Sequence, residues 1–234
     1  MRRHLFFHMG QAVVIPLPAP VDGLIRLPVG LVGPYRLQAA SGHAGRRLLR
    51  RNPRCHGPQH RCAAGCQLAA VGNQDLKGYT TIRESISDPA IGNIVYHAIC
   101  ESGEGLIRQF SFDPAAHHAY IDRTFRRYQN PYLEDENIRV GREPIRKLDP
   151  ADRLIKPLLT AYSYGLLVDH LLFGAAAALR FDCPKDAQSV ELQAKIRTDG
   201  AESALALYTG LTPDHPLFGR ILDIYRALAV AAKA

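Results

Sequence analysis

Lysine and acidic side chains are almost missing from the first third of this 234-residue chain: residues 1–70 hold ten Arg, no Lys, no Glu and a single Asp. This excludes an ordinary globular surface there, because folded surfaces intersperse both signs of charge. Long apolar runs are also missing. The longest candidate, residues 166–179, is interrupted by Asp169 and His170, so no segment is expected to span a bilayer and no membrane partner is expected. Cysteine is sparse at five. With three cysteines in the first third and Cys100 and Cys183 far downstream, no disulfide framework is expected, which fits a reducing cytoplasm.

What the first third has instead is arginine, seven of the 16 prolines, and apolar residues without a sustained period of 2.0 or 3.6. The other 164 residues hold 19 basic and 21 acidic side chains, so the net charge of +7 arises entirely upstream. Three origins compete for such a segment. A targeting leader would be Arg-rich and acid-poor, but Pro16, Pro18, Pro20 and Pro28 break any amphipathic helix. An arm for nucleic acid would use Arg46, Arg47, Arg50, Arg51 and Arg54, yet no aromatic residues interleave them, and no nucleic-acid partner is expected. Out-of-frame translation of a GC-rich gene would give this Arg, Pro, Gly and Ala bias directly. The cluster Cys55, His56, His60, Cys62 and Cys66 could in principle surround zinc, but it lacks paired C-x2-C knuckles and their long spacer, and no metal is expected.

From about Leu76 the pattern becomes helical. Ile82 and Ile86, then Ile91, Ile94, Val95, Ala98, Ile99, Ser102 and Leu106, recur at intervals of three and four, with a break at Asp88-Pro89. Asp113-Pro114 supplies an N-cap and a first-turn proline for a helix that Asn130-Pro131 ends, with Tyr120, Phe125 and Tyr128 expected inward. The neighbours His117 and His118 cannot share a helix face, so a joint metal role is not expected. Asp149-Pro150 is expected to cap the stripe Ile155, Leu158, Leu159, Tyr162. The apolar residues 166–179 are expected at the centre of a bundle. Two short helices separated by Gly200 and a terminal helix over 216–232 follow. The expected fold is all-α over residues 76–234, a common size for one core, preceded by an irregular segment over residues 1–75.

Residues 128–157, YQNPYLEDENIRVGREPIRKLDPADRLIKP, interrupt the helices with Pro131, Pro144, Pro150 and Pro157. Arg139, Arg142, Arg146, Lys147, Arg153 and Lys156 gather there among short acidic runs. Planar guanidinium donors and an ammonium point charge suit a phosphate or carboxylate oxyanion. A solvated charged loop would have the same composition.

The run RVGREPIRKL followed by DRLIKPLL, with GYTTIRE at Gly78–Glu84, ESG at Glu101–Gly103 and NPYL at Asn130–Leu133, resembles the C-terminal domain of the mannitol-1-phosphate 5-dehydrogenase family of polyol-specific long-chain dehydrogenases. The resemblance extends from Leu76 to the terminal helix. It implies a helical domain that covers the substrate of an NAD-dependent interconversion of mannitol 1-phosphate and fructose 6-phosphate. By the same resemblance, Arg139 and Lys147 would reach the polyol chain. Arg142 and Arg146 would suit the phosphate, an inference from their charge.

Departures from the family set the functional expectation. The family's catalytic motif K-x4-N-x2-H belongs just before GYTTIRE, where this chain reads HGPQHRCAAGCQLAAVGNQ and where no Lys precedes Lys77. The cofactor fingerprint G-x-G-x-x-G is absent too, since Gly103-x-Gly105 is followed by Arg108 in place of the last glycine. Family sequence thus gives way to Arg- and Pro-rich sequence where the catalytic helix belongs, which favours the out-of-frame origin. The expectation is a truncated, inactive dehydrogenase with no catalytic or NAD-binding residues of its own. The alternative is a non-catalytic sugar-phosphate-binding or interaction module, prone to self-association through the face that would meet the cofactor domain.

Overall fold

The computed structural model describes residues 3–8, 11–16, 79–132 and 134–231. Within the segment expected to be irregular, β1 (Arg3–His8) pairs with β2 (Gln11–Pro16) antiparallel, Phe6 opposite Val13 and His8 opposite Gln11. Both strands are nearly continuous apolar runs, LFF and AVVI, so they carry no alternation for a period search to find. Their β-branched and aromatic content still suits a strand. The Cys55–Cys66 cluster and the Arg46–Arg54 run lie outside the described residues.

From Ile82 onward every regular element is helical, in line with the expected fold class. These are α1 (Ile82–Ser87), α2 (Pro89–Phe110), α3 (Pro114–Tyr128), α4 (Asn137–Gly141), α5 (Pro144–Leu148), α6 (Ile155–Ser163), α7 (Asp169–Arg180), α8 (Ala187–Thr209) and α9 (Pro216–Ala231). Thr81 and Glu84 form a reciprocal capping box at α1. Asp88 accepts from Ala90 N at 2.9 Å and Ile91 N at 3.1 Å, and Asp113 does the same for Ala115 and Ala116, each one residue before a first-turn proline.

Two local expectations change. Asp149 accepts from Ala151 N and closes a turn instead of starting a helix, and α6 begins only at Ile155. On α3 the fully buried face is His117, Ile121 and Thr124, while Tyr120, Phe125 and Tyr128 are half-buried. Phe125 and Tyr128 still pack against the core, as expected, from the edge of that face, and Tyr120 is the one of the three that does not.

The bundle is built around α7. Leu171 to Leu179 are all buried, nine successive positions, and α7 packs against α2, α5, α6, α8 and α9. A helix apolar on every side can exist only at the centre. Neither end of α7 carries a cap of its own kind, so neighbouring helices supply it. Glu101 on α2 accepts from His170 N at 3.1 Å and Leu171 N at 2.9 Å, and its carboxylate lies 2.6 Å from His170 Nδ1. At the other end Gln193 on α8 donates to Leu179 O and Phe181 O, while Ser189 Oγ donates to Phe181 O. Arg220 on α9 pairs with Asp169. The orphan polar groups of the central helix are thus met by side chains of α2 and α8.

Gly200 and Gly105 are two of the glycines that geometry requires. Gly200, at φ 86° and ψ 160°, breaks α8 into the two helical pieces anticipated. Gly105 lets α2 approach α6, where a Cβ would lie 3.1 Å from the Ala161 Cα. Among the described residues no helix is long and apolar enough to cross a membrane. Replacing Gly105 by Val should lower unfolding stability by about 2 kcal/mol through overpacking. Gly219→Ala, in a helix with open space around the added methyl, should raise it by about 0.5–1 kcal/mol. Urea unfolding followed by circular dichroism reads both; equal midpoints for the two variants would contradict this packing.

Candidate functional site

The basic residues of the expected site fall on two one-turn helices and the link between them. Neither α4 nor α5 is long enough to be stable alone, so each is held by the rest of the molecule. The chain before α4 pairs with the entry to α1: Thr81 and Glu136 form a bridge, Ile82 N donates to Asp135 O and Asn137 N donates to Thr80 O, both at 2.9 Å. The α5 helix docks on the start of α8, where Glu143 N donates to Asp186 Oδ2 at 2.9 Å and Arg146 N donates to Gln188 Oε1 at 3.0 Å. Asp186 also caps α8 through Ser189 N. Glu143 sits in the left-handed region at φ 59°, which turns the chain sharply between the two helices.

The four expected ligands meet different surroundings. Arg139 is exposed on α4 and pairs with Asp135 one turn earlier. Arg146 is exposed and committed twice, to Asp152 at 2.9 Å and Glu143 at 3.1 Å. These two carboxylates push its pKa further up. Arg142 is exposed in the α4–α5 link and has no carboxylate within ion-pair distance among the described residues. Lys147 is 2% exposed, the largest fully buried side chain, and its Nζ donates to Val140 O and Arg142 O. Its ammonium therefore closes the C-terminal end of α4 from inside.

Burial pushes the Lys147 pKa down to about 7, helped by the charge of Arg153 and opposed by Glu143 and Asp186. Arg139, Arg142 and Arg146 are thus each exposed, on α4, in the link and on α5, while Lys147 is buried and faces the backbone carbonyls of Val140 and Arg142. Among these three arginines, Arg142 is the guanidinium without a carboxylate partner among the described residues, the chemistry a bidentate oxyanion contact would need. The i,i+4 spacing of Asp135 and Arg139, and the i,i+3 spacing of Glu143 and Arg146, were readable from sequence as pairing signals. Burial of Lys147 had no such signal.

Several polar groups elsewhere are structural. His117 is buried against Gly103 and stacked on Phe112, and burial lowers its pKa; His118 is exposed, 2.6 Å from Glu104. The adjacent histidines do face different ways. Cys100 and Cys183 are both free, and burial pushes the Cys100 thiol up to about 12. No three His, Cys, Asp or Glu side chains converge as a metal site among the described residues. Gly103 and Gly105 are buried in α2, where a Cβ would meet Ile121 at 2.5 Å and Ala161 at 3.1 Å. Such closely covered glycines leave no approach for a dinucleotide pyrophosphate, so these residues do not fit NAD.

Because Lys147 holds fewer protons in the folded than in the unfolded chain between about pH 7 and its ordinary 10.5, stability contributed at this position rises with pH across that window. Lys147→Met should remove that rise, on the order of 3–5 kcal/mol between pH 7 and 10.5. Denaturant unfolding at both pH values checks it; an unchanged slope in the variant would contradict the burial of the amine.

Comparison with known proteins follows the same lines. The model of the mannitol dehydrogenase C-terminal domain matches residues 66–212, reaching upstream into the segment read as irregular and stopping before α9. The ternary complex of Pseudomonas fluorescens mannitol 2-dehydrogenase with NAD and D-mannitol has a similar fold, with a TM-score of 0.57 at 17% identity. The similarity covers 75% of this chain and 39% of that one.

Proposed function

We propose that this chain, which belongs to the mannitol dehydrogenase family through its C-terminal domain, is the substrate-side module of a mannitol-1-phosphate 5-dehydrogenase. It binds the sugar phosphate at the α4–α5 surface and, as this polypeptide, does not turn it over. The observation that carries the reading is Arg142. It is the arginine of the three that faces solvent without a carboxylate partner among the described residues, in the link that follows the short helix carrying Arg139.

A dianionic phosphate repays the desolvation of its donors best when a planar, uncompensated guanidinium meets it. Arg142 supplies that contact. Arg139 then reaches the polyol chain by exchanging its Asp135 partner for hydroxyl groups. Lys147 holds the floor of the site through the Val140 and Arg142 carbonyls, which makes its contribution to the polyol indirect. Arg146, already neutralised by Glu143 and Asp152, adds a weaker field. This revises the weight given to the four residues without changing the set.

Oxidation of a polyol needs a base for the hydroxyl proton and an acceptor for the hydride. NAD is the acceptor in the family, and the related mannitol 2-dehydrogenase was solved with it. In this sequence neither the K-x4-N-x2-H motif nor the glycine fingerprint is present, and Gly103 and Gly105 do not fit the cofactor. The proposed activity of this polypeptide is therefore binding.

Purified chain incubated with mannitol 1-phosphate and NAD should form no NADH above background, while calorimetry should register fructose 6-phosphate binding that Arg142→Ala weakens about tenfold, the loss of one charge-assisted contact. Steady NADH production would overturn the inactive reading. Equal affinity of wild type and variant would overturn the role of Arg142.

A further inference from the structure

We propose that Asn137 is a positioning residue, an internal staple that fixes the angle at which α4 presents Arg139 and Arg142; this rests on the substrate reading of those arginines. Asn137 is the first residue of α4, and it is completely buried at 0% exposure. Its side-chain amide Nδ2 donates to Tyr79 O at 2.9 Å and to Ser85 Oγ at 2.9 Å, across 58 and 52 residues of sequence. Its backbone N–H donates to Thr80 O at 2.9 Å. Three bonds from one residue thus fasten the short helix to the entry of α1.

The receiving segment is itself rigid. Thr80 N, Thr80 Oγ1 and Thr81 N all donate to Glu84 Oε2, and the Tyr79 hydroxyl donates to Asp88 at the start of α2. Ser85 Oγ donates to Thr81 O and is fully buried. Asn137 is therefore attached to a fixed point. Its Oδ1 is buried with no partner among the described residues. Leaving an acceptor unpaired inside the fold costs about 1–3 kcal/mol, so an aliphatic residue of similar size would suit burial better on packing grounds alone. The amide is retained for its two donor bonds.

Placement gives those bonds a consequence. Arg139 lies two residues beyond Asn137, and α4 is only five residues long. Its C-terminal end is already closed by Lys147. With the Asn137 end loosened, the helix has a single anchor, and Arg139 and the adjoining Arg142 would sample more orientations. Orientation losses of this kind weaken binding without requiring the fold to melt.

The test uses the whole chain. Amide hydrogen exchange would be measured in wild type, Asn137→Leu and Ser85→Ala, comparing Val140 and Gly141 in α4 and Arg142 at its C-cap with Leu171–Leu179 in α7. The three proteins would also be titrated with fructose 6-phosphate, alongside Arg139→Ala, at a temperature where circular dichroism shows each fully folded. Asn137→Leu should speed exchange in α4 about tenfold, leave α7 unchanged and weaken fructose 6-phosphate about tenfold. Ser85→Ala, which removes one of the two acceptors, should do both to a smaller degree.

Unchanged exchange in α4, or acceleration spread equally over α7, would overturn the staple. Faster α4 exchange with unaltered affinity would overturn the positioning role and leave Asn137 as a structural residue. If wild type binds no fructose 6-phosphate, the substrate reading of Arg139 fails, and the exchange comparison alone then supports or sinks the staple.

Discussion

The burial of α7 on every side is the constraint from which the rest of the structure follows. Nine consecutive apolar or small residues, Leu171 to Leu179, leave no face for solvent. The flanking helices must therefore close around α7, and the four-alanine run lets them come near. The partly exposed ends of α7 take polar partners from those same helices. Glu101 from α2 at one end and Gln193 from α8 at the other are those partners. The same two helices that pack against the central one thus also terminate it, so packing and hydrogen bonding specify one arrangement together.

That arrangement carries the candidate site. The short α5 helix packs on α7 and α8, and α4 hangs from it by the Lys147 ammonium and from the α1 entry by Asn137. Neither helix has the length to hold itself. The surface that presents Arg139 and Arg142 is therefore ordered by buried polar contacts instead of by its own helical propensity. Lys147 is the costlier of the two anchors. Desolvation drags its pKa to about 7, and the two carbonyl acceptors recover part of that penalty. An amine placed at this cost holds the backbone at Val140 and Arg142 in place.

The helices were largely legible because their signals are local. The Asp-Pro pairs at Asp88 and Asp113 announce caps that a single turn decides, and Gly200 announces its own break. Asp149-Pro150 looks the same in sequence but closes a turn, since the Leu154 N–H is taken by the Lys147 carbonyl and the chain is held short of helical geometry until Ile155. The strands near the start were not legible, because continuous apolar runs show no alternation. At the site, the residue set was readable as a basic cluster, and the resemblance to polyol dehydrogenases assigned it roles. The division of labour was not. That Asn137 matters at all depends on contacts spanning up to 58 residues of sequence, and the burial of Lys147 on the docking of α5 against α7 and α8; no local pattern encodes those.

We propose that the α4–α5 surface of this mannitol dehydrogenase C-terminal domain binds a phosphorylated sugar through Arg142. The most direct measurement is the phosphorus resonance of fructose 6-phosphate titrated with the chain. A saturable shift with wild type, moved to about tenfold higher protein concentration by Arg142→Ala while the circular dichroism of the variant stays that of a folded helical bundle, is the result expected. A resonance that does not move with excess protein, or moves identically with the variant, would contradict the claim.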